Sequence, residues 1–387
     1  MEAFSHGHAK CLYASEIDRD ASKVYETNFG QKPYGDIRQI DPVEMGLPAP
    51  DVVCGGFPCQ TFSKGGAQQG FKDSRGTLFR EILRIVELYP KKQRPKLMIL
   101  ENVQNLIRHD KGETWKTIHH EIQLAGYNVI EQPIVASPKD VGVAQLRNRA
   151  IILAVRNDIF SGPISIVLER KKANSVLFSE TALEPNISES DLQKSRLPES
   201  AINVLNCWDD FMHILPKEEH VIGFPIWSDE FGKTYKLDGL PGWRVNIIQK
   251  NRNLYLRHKK ELSAWMARWK IRKTFTATNR KFEWQAGNSI DTIYDGIIQF
   301  RTSGIRVKRP TECPTLVAMN HRPIYGPERR YITLLEAKRL QSFPDSMSFG
   351  DEPEAKAFKQ LGNAVNVKVI ETIFDLFVRF IDANGGK

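Results

Sequence analysis

Acid, paired cysteines and long apolar runs are what this sequence lacks. No stretch of its 387 residues approaches the roughly 18 apolar residues of a membrane span, and the start has no signal-peptide pattern. Five cysteines, Cys11, Cys54, Cys59, Cys207 and Cys313, are odd in number and form no CxxC pair. That excludes a disulfide framework or a zinc knuckle, and it suits a reducing, cytoplasmic compartment. No segment repeats another, which excludes solenoids and propellers. At 41% hydrophobic and 26% charged residues, a chain of this length has room for about two cored domains. Lys and Arg number 55 against 46 Asp and Glu, a net charge of +9 that suits a polyanionic partner.

The shortage of acid is sharpest between Leu240 and Lys281. Arg244, Lys250, Arg252, Arg257, Lys259, Lys260, Arg268, Lys270, Arg272, Lys273, Arg280 and Lys281 stand there against Glu261 alone. Leu262, Trp265, Met266 and Trp269 have helical spacing, which predicts a buried stripe with the bases facing outward. A solvated helix face is the bland interpretation. Such one-sided charge favours a face that contacts phosphates.

The first 155 residues alternate strand-like and helix-like runs. "CLYASEID", "DVVCGGF", "KLMILENV", "YNVIEQPIV" and "RAIILAV" read as strands. "DASKVYETNF", "TLFREILRIVELY" and about 114–125 read as helices. This predicts an α/β fold with a mostly parallel, doubly wound sheet, whose ligands sit beyond the carboxyl ends of its strands. From about 160 to 239 the pattern decays, and polar stretches such as "SETALEPNISESDLQKS" read as loops. Order returns with "TLLEAKRLQSFP", a helix stopped by Pro344, and the long amphipathic "VNVKVIETIFDLFVRFI". The expected domains are 1–160, an irregular 161–344, and a segment 345–387 returning to the first.

The stretch "DVVCGGFPCQTFSKGG" holds two thiols. Cys54, within the strand, reads as a small buried hydrophobe. Cys59 follows a glycine pair that permits a sharp turn and a proline that sets direction, and polar, glycine-rich sequence follows it. A nucleophile needs such an exposed and rigidly aimed position.

From Gly55 to Phe79, "GGFPCQTFSKGGAQQGFKDSRGTLF" resembles the catalytic segment of the cytosine-5 DNA methyltransferases. "ENV" (101–103) resembles their active-site acid motif and "AQLRNRAI" (144–151) their QxRxR motif. "RYITLLEAKRLQSFP" (330–344) is similar to the segment organising the recognition domain, and "QLGNAVNVKV" (360–369) to the late cofactor-lining motif. The resemblance implies a compact bacterial enzyme, with a Rossmann-like sheet and a smaller target-recognition domain.

It also implies roles. Cys59 would add to C6 of a cytosine swung out of the duplex, and Glu101 would assist at N3. Arg147 and Arg149, two apart, would point the same way, one bracing the cytosine O2 and the other orienting the acid or the cysteine loop. The implied cofactor is S-adenosylmethionine: Glu16 on the ribose, Ile17 and Asp36 at the adenine, Phe57, Pro58 and Leu78 lining the pocket, Asn363 and Val365 closing it. Ser63, Lys64 and Gln68, in a glycine-hinged loop, are candidate DNA contacts. So are Arg301, Arg306, Lys308 and Arg309, beside Thr315-Leu316, which resembles a Thr-Leu pair of the recognition domain. Asp18 and Asp20 read as caps of the helix that follows. No metal site is expected.

The family opens on a strand and an FxGxG turn that cradle the methionine end of the cofactor. This sequence opens "MEAFSHGHAKCLYASEID" and has no FxGxG further on, so a sheet without its first strand and impaired cofactor binding are expected. The implied partners are double-stranded DNA and a cognate restriction endonuclease acting on the same site. A monomer in the bacterial cytoplasm, associated with the nucleoid, is the expected setting. Two alternatives stay open: a DNA-binding relative without catalysis, and a tRNA methyltransferase. The tRNA branch's Cys-Phe-Thr segment is not found.

Overall fold

A computed structural model describes residues 9–57, 78–171, 176–220, 222–316 and 321–384. It divides into two compact units: Met1–Val143, Arg147–Ala173 and Lys338–Lys387 in the first, Ala144–Leu146 and Asn174–Ala337 in the second. Among the described residues no helix is long and apolar enough to cross a membrane.

The first unit is layered around a sheet. Helix α1 (Arg19–Phe29) starts where the Asp18 side chain accepts from the Asp20 and Ala21 amides, and ends at Gly30, which takes φ 65°. Asp18 is thus the expected cap; Asp20 instead pairs with Lys356 at 2.7 Å. Strand β1 (Val52–Gly56), helix α2 (Leu78–Leu88), strand β2 (Leu97–Val103) and helix α3 (Glu113–Leu124) follow. Next come β3 (Tyr127–Val129), β4 (Ile134–Ala136) and β6 (Arg149–Arg156), the two-residue β5 (Gln145–Leu146) between the last two belonging to the second unit. The sheet order is β1-β2-β6-β3, with β4 also on β6. β2 and β6 carry unbroken apolar stretches, Leu97–Leu100 and Ala150–Val155, because both faces are covered there. Met98, Leu100, Ile152 and Ala154 pack with Phe79, Ile82, Val86, Trp115, Ile118 and Ile122 of α2 and α3. Their alternate neighbours, Ile99, Ile151, Leu153 and Val155, meet Val369, Ile373, Phe377 and Ile381 of helix α9 (Val367–Ala383) on the other side.

In this sheet, among the described residues, β1–β2 is the parallel pair; β6 runs antiparallel to β2, β3 and β4. The sheet is therefore mixed rather than mostly parallel. "YNVIEQPIV" is two short strands around Pro133, and the connection from β4 to β6 is short enough to reverse the chain. "CLYASEID" contributes one parallel bridge, Ser15 with Tyr34. Cys54 is exposed, not buried, because β1 pairs with β2 alone among the described strands.

The second unit is more regular than its composition suggests. Helix α4 (Glu199–Ile214) arises within the stretch read as irregular, burying Ala201, Val204, Leu205, Trp208, Phe211 and Met212. Strand β7 (Ile226–Trp227) and helices α5 (Gly242–Arg257) and α6 (Lys259–Arg268) follow. Then come β8 (Lys281–Trp284), β9 (Ile297–Arg301), β10 (Gly304–Lys308), β11 (Cys313–Pro314), β12 (Ile324–Tyr325) and β13 (Arg330–Tyr331). All but β11 join a six-stranded sheet, ordered β13-β12-β9-β10-β8-β7; β11 pairs with β5. Trp208 stacks on Phe282 at 4.8 Å, and Trp265 is fully buried beside it, donating from Nε1 to the Cys207 carbonyl.

Helix α7 (Leu334–Leu340) opens on a buried charge pair. Arg330 donates to both oxygens of Glu336, at 2.9 and 2.7 Å, and Glu336 also accepts from the amides of Thr333 and Glu184. Both side chains are buried; Arg330 keeps a second carboxylate, Glu328, 2.6 Å from its Nε, but removing Glu336 takes away the interior carboxylate bonded to both of its terminal nitrogens. Glu336→Ala is expected to lower unfolding free energy by about 3–5 kcal/mol. Urea denaturation at unchanged m-value measures it, and a loss below about 1 kcal/mol would show the pair to be dispensable.

Candidate active site

The carboxyl end of β2 carries the acid. Parallel pairing sets Gly56 beside Glu101, and a Cβ on Gly56 would lie 3.1 Å from Glu101 Oε2. The glycine therefore makes room for the carboxyl group. Asn102 is buried and donates to the Phe57 carbonyl at 3.1 Å, fixing the direction in which the chain leaves β1. Phe57 is buried against Phe79, ring centroids 5.4 Å apart, and Leu78 is half-buried at the start of α2. Pro58, Cys59, Ser63, Lys64 and Gln68 lie outside the described residues. Asn102 belongs to the quoted ENV motif, but the sequence assigned it no role.

The two arginines do different work. Arg149 pairs with Val103 across β6 and β2, so its side chain is the diagonal neighbour of Glu101, and its Nε lies 2.7 Å from Glu101 Oε1. Arg147 is buried; its amide donates to Ser137 Oγ and its guanidinium to the carbonyls of Gly362 and Ala364, at 3.0 and 2.8 Å. Those carbonyls end helix α8 (Glu354–Asn363), where a cation is favoured. Burial pushes the Glu101 carboxyl above the ordinary carboxylate range, while Arg149 and Arg147 pull against it.

Arg147 thus braces the segment holding Asn363, which is exposed, and Val365, which is half-buried. Gln341 supports the same segment by donating to the Leu361 carbonyl. Asn366 caps α9 through the Val369 amide and donates to Leu340 and Ser342. An asparagine ahead of an apolar-periodic run was a legible cap signal. Helix α8 also carries Lys356, the partner of Asp20, toward the Glu16 segment. Glu16 bonds its amide to the Tyr34 carbonyl and accepts from the Asp18 amide on Oε1. Ile17 is 67% exposed. Asp36 has local partners: it caps the turn at Ile37 and pairs with Arg38 through both oxygens. Two carboxylate oxygens have acceptor capacity beyond the Arg38 bonds, so an adenine amine would share Asp36 with Arg38.

In the second unit, Arg301 and Arg306 share one carboxylate, Glu283, at 3.5 and 2.8 Å. Lys308 is buried with Glu312 3.9 Å away, and burial lowers its pKa, which removes it from the surface contacts expected of it. Arg309 is half-buried and donates to the Ala286 carbonyl; Thr315 Oγ1 donates to the Leu146 carbonyl. The basic run keeps its buried stripe, with Leu262 and Trp265 inside and Met266 and Trp269 packed against them. Four of its bases are neutralised: Arg252 by Glu230, Arg257 by Glu219, Arg268 by Asp210 and Arg280 by Asp229. Arg244, Lys250, Lys259, Lys260, Lys270, Arg272 and Lys273 remain exposed, without an acidic partner among the described residues.

Among curated proteins, Type II methyltransferase M.AluI of Cellulosimicrobium cellulans is 32% identical over 461 residues, covering 95% of this chain and 88% of that protein. Type II methyltransferase M.HgiCI of Herpetosiphon aurantiacus is 30% identical over 407 residues, covering 95% and 91%. Among solved structures, the Dnmt2 methyltransferase of S. pombe shares the fold, with a TM-score of 0.55 at 17% identity over 98% of this chain and 94% of that one. The family described as C-5 cytosine-specific DNA methylase matches residues 2–378. With nearly the whole length matched and its acid and arginine motifs assembled at one end of the sheet, the chain belongs to the C-5 cytosine-specific DNA methylases.

Proposed function

We propose that the chain transfers a methyl group from S-adenosylmethionine to carbon 5 of a cytosine extruded from a specific duplex DNA sequence. The observation that supports this reading most is Glu101: largely shielded from solvent, held by Arg149, and adjacent to the strand exit, Phe57 standing two residues before Cys59 in sequence. The first unit would then be the catalytic and cofactor domain, and the second the target-recognition domain. A monomer in the bacterial cytoplasm, with a restriction endonuclease cutting the same site, completes the proposal.

Carbon 5 of cytosine is a poor nucleophile while the ring keeps its aromaticity. The Cys59 thiolate would form a bond to C6, pushing the C5–C6 electron pair toward C5 and N3. Glu101, as the neutral acid, would donate to N3 and accept the exocyclic amine, so that charge does not build on the ring. Arg149 holds that carboxyl in one orientation, and Arg147 holds the Asn363–Val365 segment. S-adenosylmethionine, when bound, supplies an electrophilic sulfonium methyl. The residues present fit it in part: Glu16 keeps one carboxylate oxygen for ribose hydroxyls, and exposed Ile17 offers an apolar face. Asp36, shared with Arg38, has acceptor capacity left for the adenine amine. Product release needs the C5 proton to leave to a base, water being the simplest, as the C6–S bond breaks and returns the thiolate.

Incubation with methyl-labelled S-adenosylmethionine tests the reading. Label is expected in 5-methylcytosine of duplex DNA; label confined to tRNA, or none, would overturn it. A salt titration adds a second expected result. About six phosphate contacts from the exposed bases would lower DNA affinity roughly a thousandfold between 50 and 200 mM salt. A flat response would rule out the basic face as the contact surface.

A further inference from the structure

Helix α5 in the second unit has two faces of opposite kind. Ile248, Asn251 and Leu254 are buried. Asn251 is fully used there: its side chain accepts from the Trp227 amide and donates to the Pro225 and Ile247 carbonyls. On the opposite face Asn246, Lys250 and Asn253 recur at i, i+4 and i+7, flanked by Gln249, and all four are exposed. The carboxamides of Asn246, Gln249 and Asn253 meet no hydrogen-bond partner among the described residues. An exposed row of free carboxamides is unusual on a helix whose neighbours in sequence are mostly bases.

We propose that α5 reads base edges in the major groove of the duplex substrate through Asn246, Gln249 and Asn253. The inference rests on the reading of the chain as a DNA-modifying enzyme and deepens it. Asparagine and glutamine carboxamides match the adjacent acceptor and donor of adenine in the major groove, which is wide enough for a helix. From Asn246 to Asn253 the helix rises about 10 Å, roughly three base-pair steps. Lys250, between the readers, and the unpaired Arg244, Lys259 and Lys260 around them give the face the charge a phosphate-flanked groove requires.

Selection from a duplex library with a randomised window tests this, using the whole chain and its N246A/Q249A/N253A variant. The wild type is expected to enrich a consensus containing adenine. The triple variant should lose roughly ten- to hundredfold discrimination at adenine positions for each reader removed. Its affinity for unselected duplex and its thermal midpoint should stay unchanged, since the three side chains are exposed. Each single variant should relax one position. Lys250→Ala should weaken binding to all sequences alike and make the salt slope shallower by about one. The same consensus with equal discrimination in the triple variant would overturn the proposal, as would a wild type that enriches nothing. The methylation reading is scored separately, by adding S-adenosylmethionine to the enriched duplexes. A consensus that depends on α5 without any 5-methylcytosine would sink that reading and leave the helix assignment standing.

Discussion

Cys59→Ser is expected to leave no covalent complex with duplex DNA carrying 5-fluorocytosine and no detectable methyl transfer. The trap works because fluorine at C5 replaces the proton whose loss would release the enzyme, so an adduct through C6 persists. A cysteine is a few per cent thiolate near neutral pH and strongly nucleophilic in that form, whereas a serine hydroxyl needs an adjacent base. Among the described neighbours of the β1 exit, Glu101 is the titratable group, and burial favours its protonated form. It cannot serve as an acid at N3 and at the same time as the base for a serine. DNA binding should survive in the variant, because extrusion and phosphate contacts do not use the sulfur. Denaturing gel electrophoresis of labelled duplex is the measurement, and a persistent adduct in the serine variant would remove Cys59 from its role.

Much of the first unit was legible because its signals are local. "RAIILAV" and "KLMILENV" each hold an unbroken apolar stretch, 150–155 and 97–100, and became the two strands covered on both faces, and the four-residue spacing in "VKVIETIFDLFVRFI" became the stripe of α9. The acid and arginine motifs were legible for the same reason, since each is a few consecutive residues. What stayed hidden depends on partners far apart in sequence. The basic run looked unopposed because Asp210, Glu219, Asp229 and Glu230 lie outside its window, yet the fold returns them to four of its arginines. Lys308 looked like a surface base until β10 placed it between neighbouring strands. Arg147 and Arg149 looked equivalent at a spacing of two. They separate only because Arg149 begins the strand paired to β2 while Arg147 precedes it and meets the end of α8. The Asp36–Arg38 pair is local, two residues apart, and was open to sequence reading.

Glu101→Gln is expected to slow methyl transfer by roughly 10²–10⁴-fold, the usual worth of a positioned general acid, while DNA affinity changes little. Glutamine keeps the size of the side chain and a hydrogen-bond donor, so binding of the extruded base is largely retained, but it cannot yield a proton to N3. Equal losses in rate and affinity would count against the acid role and in favour of a purely structural one. The pH dependence separates the two further. Burial raises the carboxyl's folded pKa above its unfolded value of about 4.3, so between those values the folded state binds more protons than the unfolded. The stability Glu101 contributes is therefore full below the unfolded pKa and lost as pH rises through the raised one. In the glutamine variant that part of the stability profile should flatten. The rate profile should change alongside it. The wild type needs a protonated acid and a thiolate together, which gives a bell with two macroscopic ionisations belonging to the pair. The variant should retain a single one. A variant profile still showing both would mean that the second ionisation belongs to another group, and that Glu101 holds Arg149 in place without handling the proton.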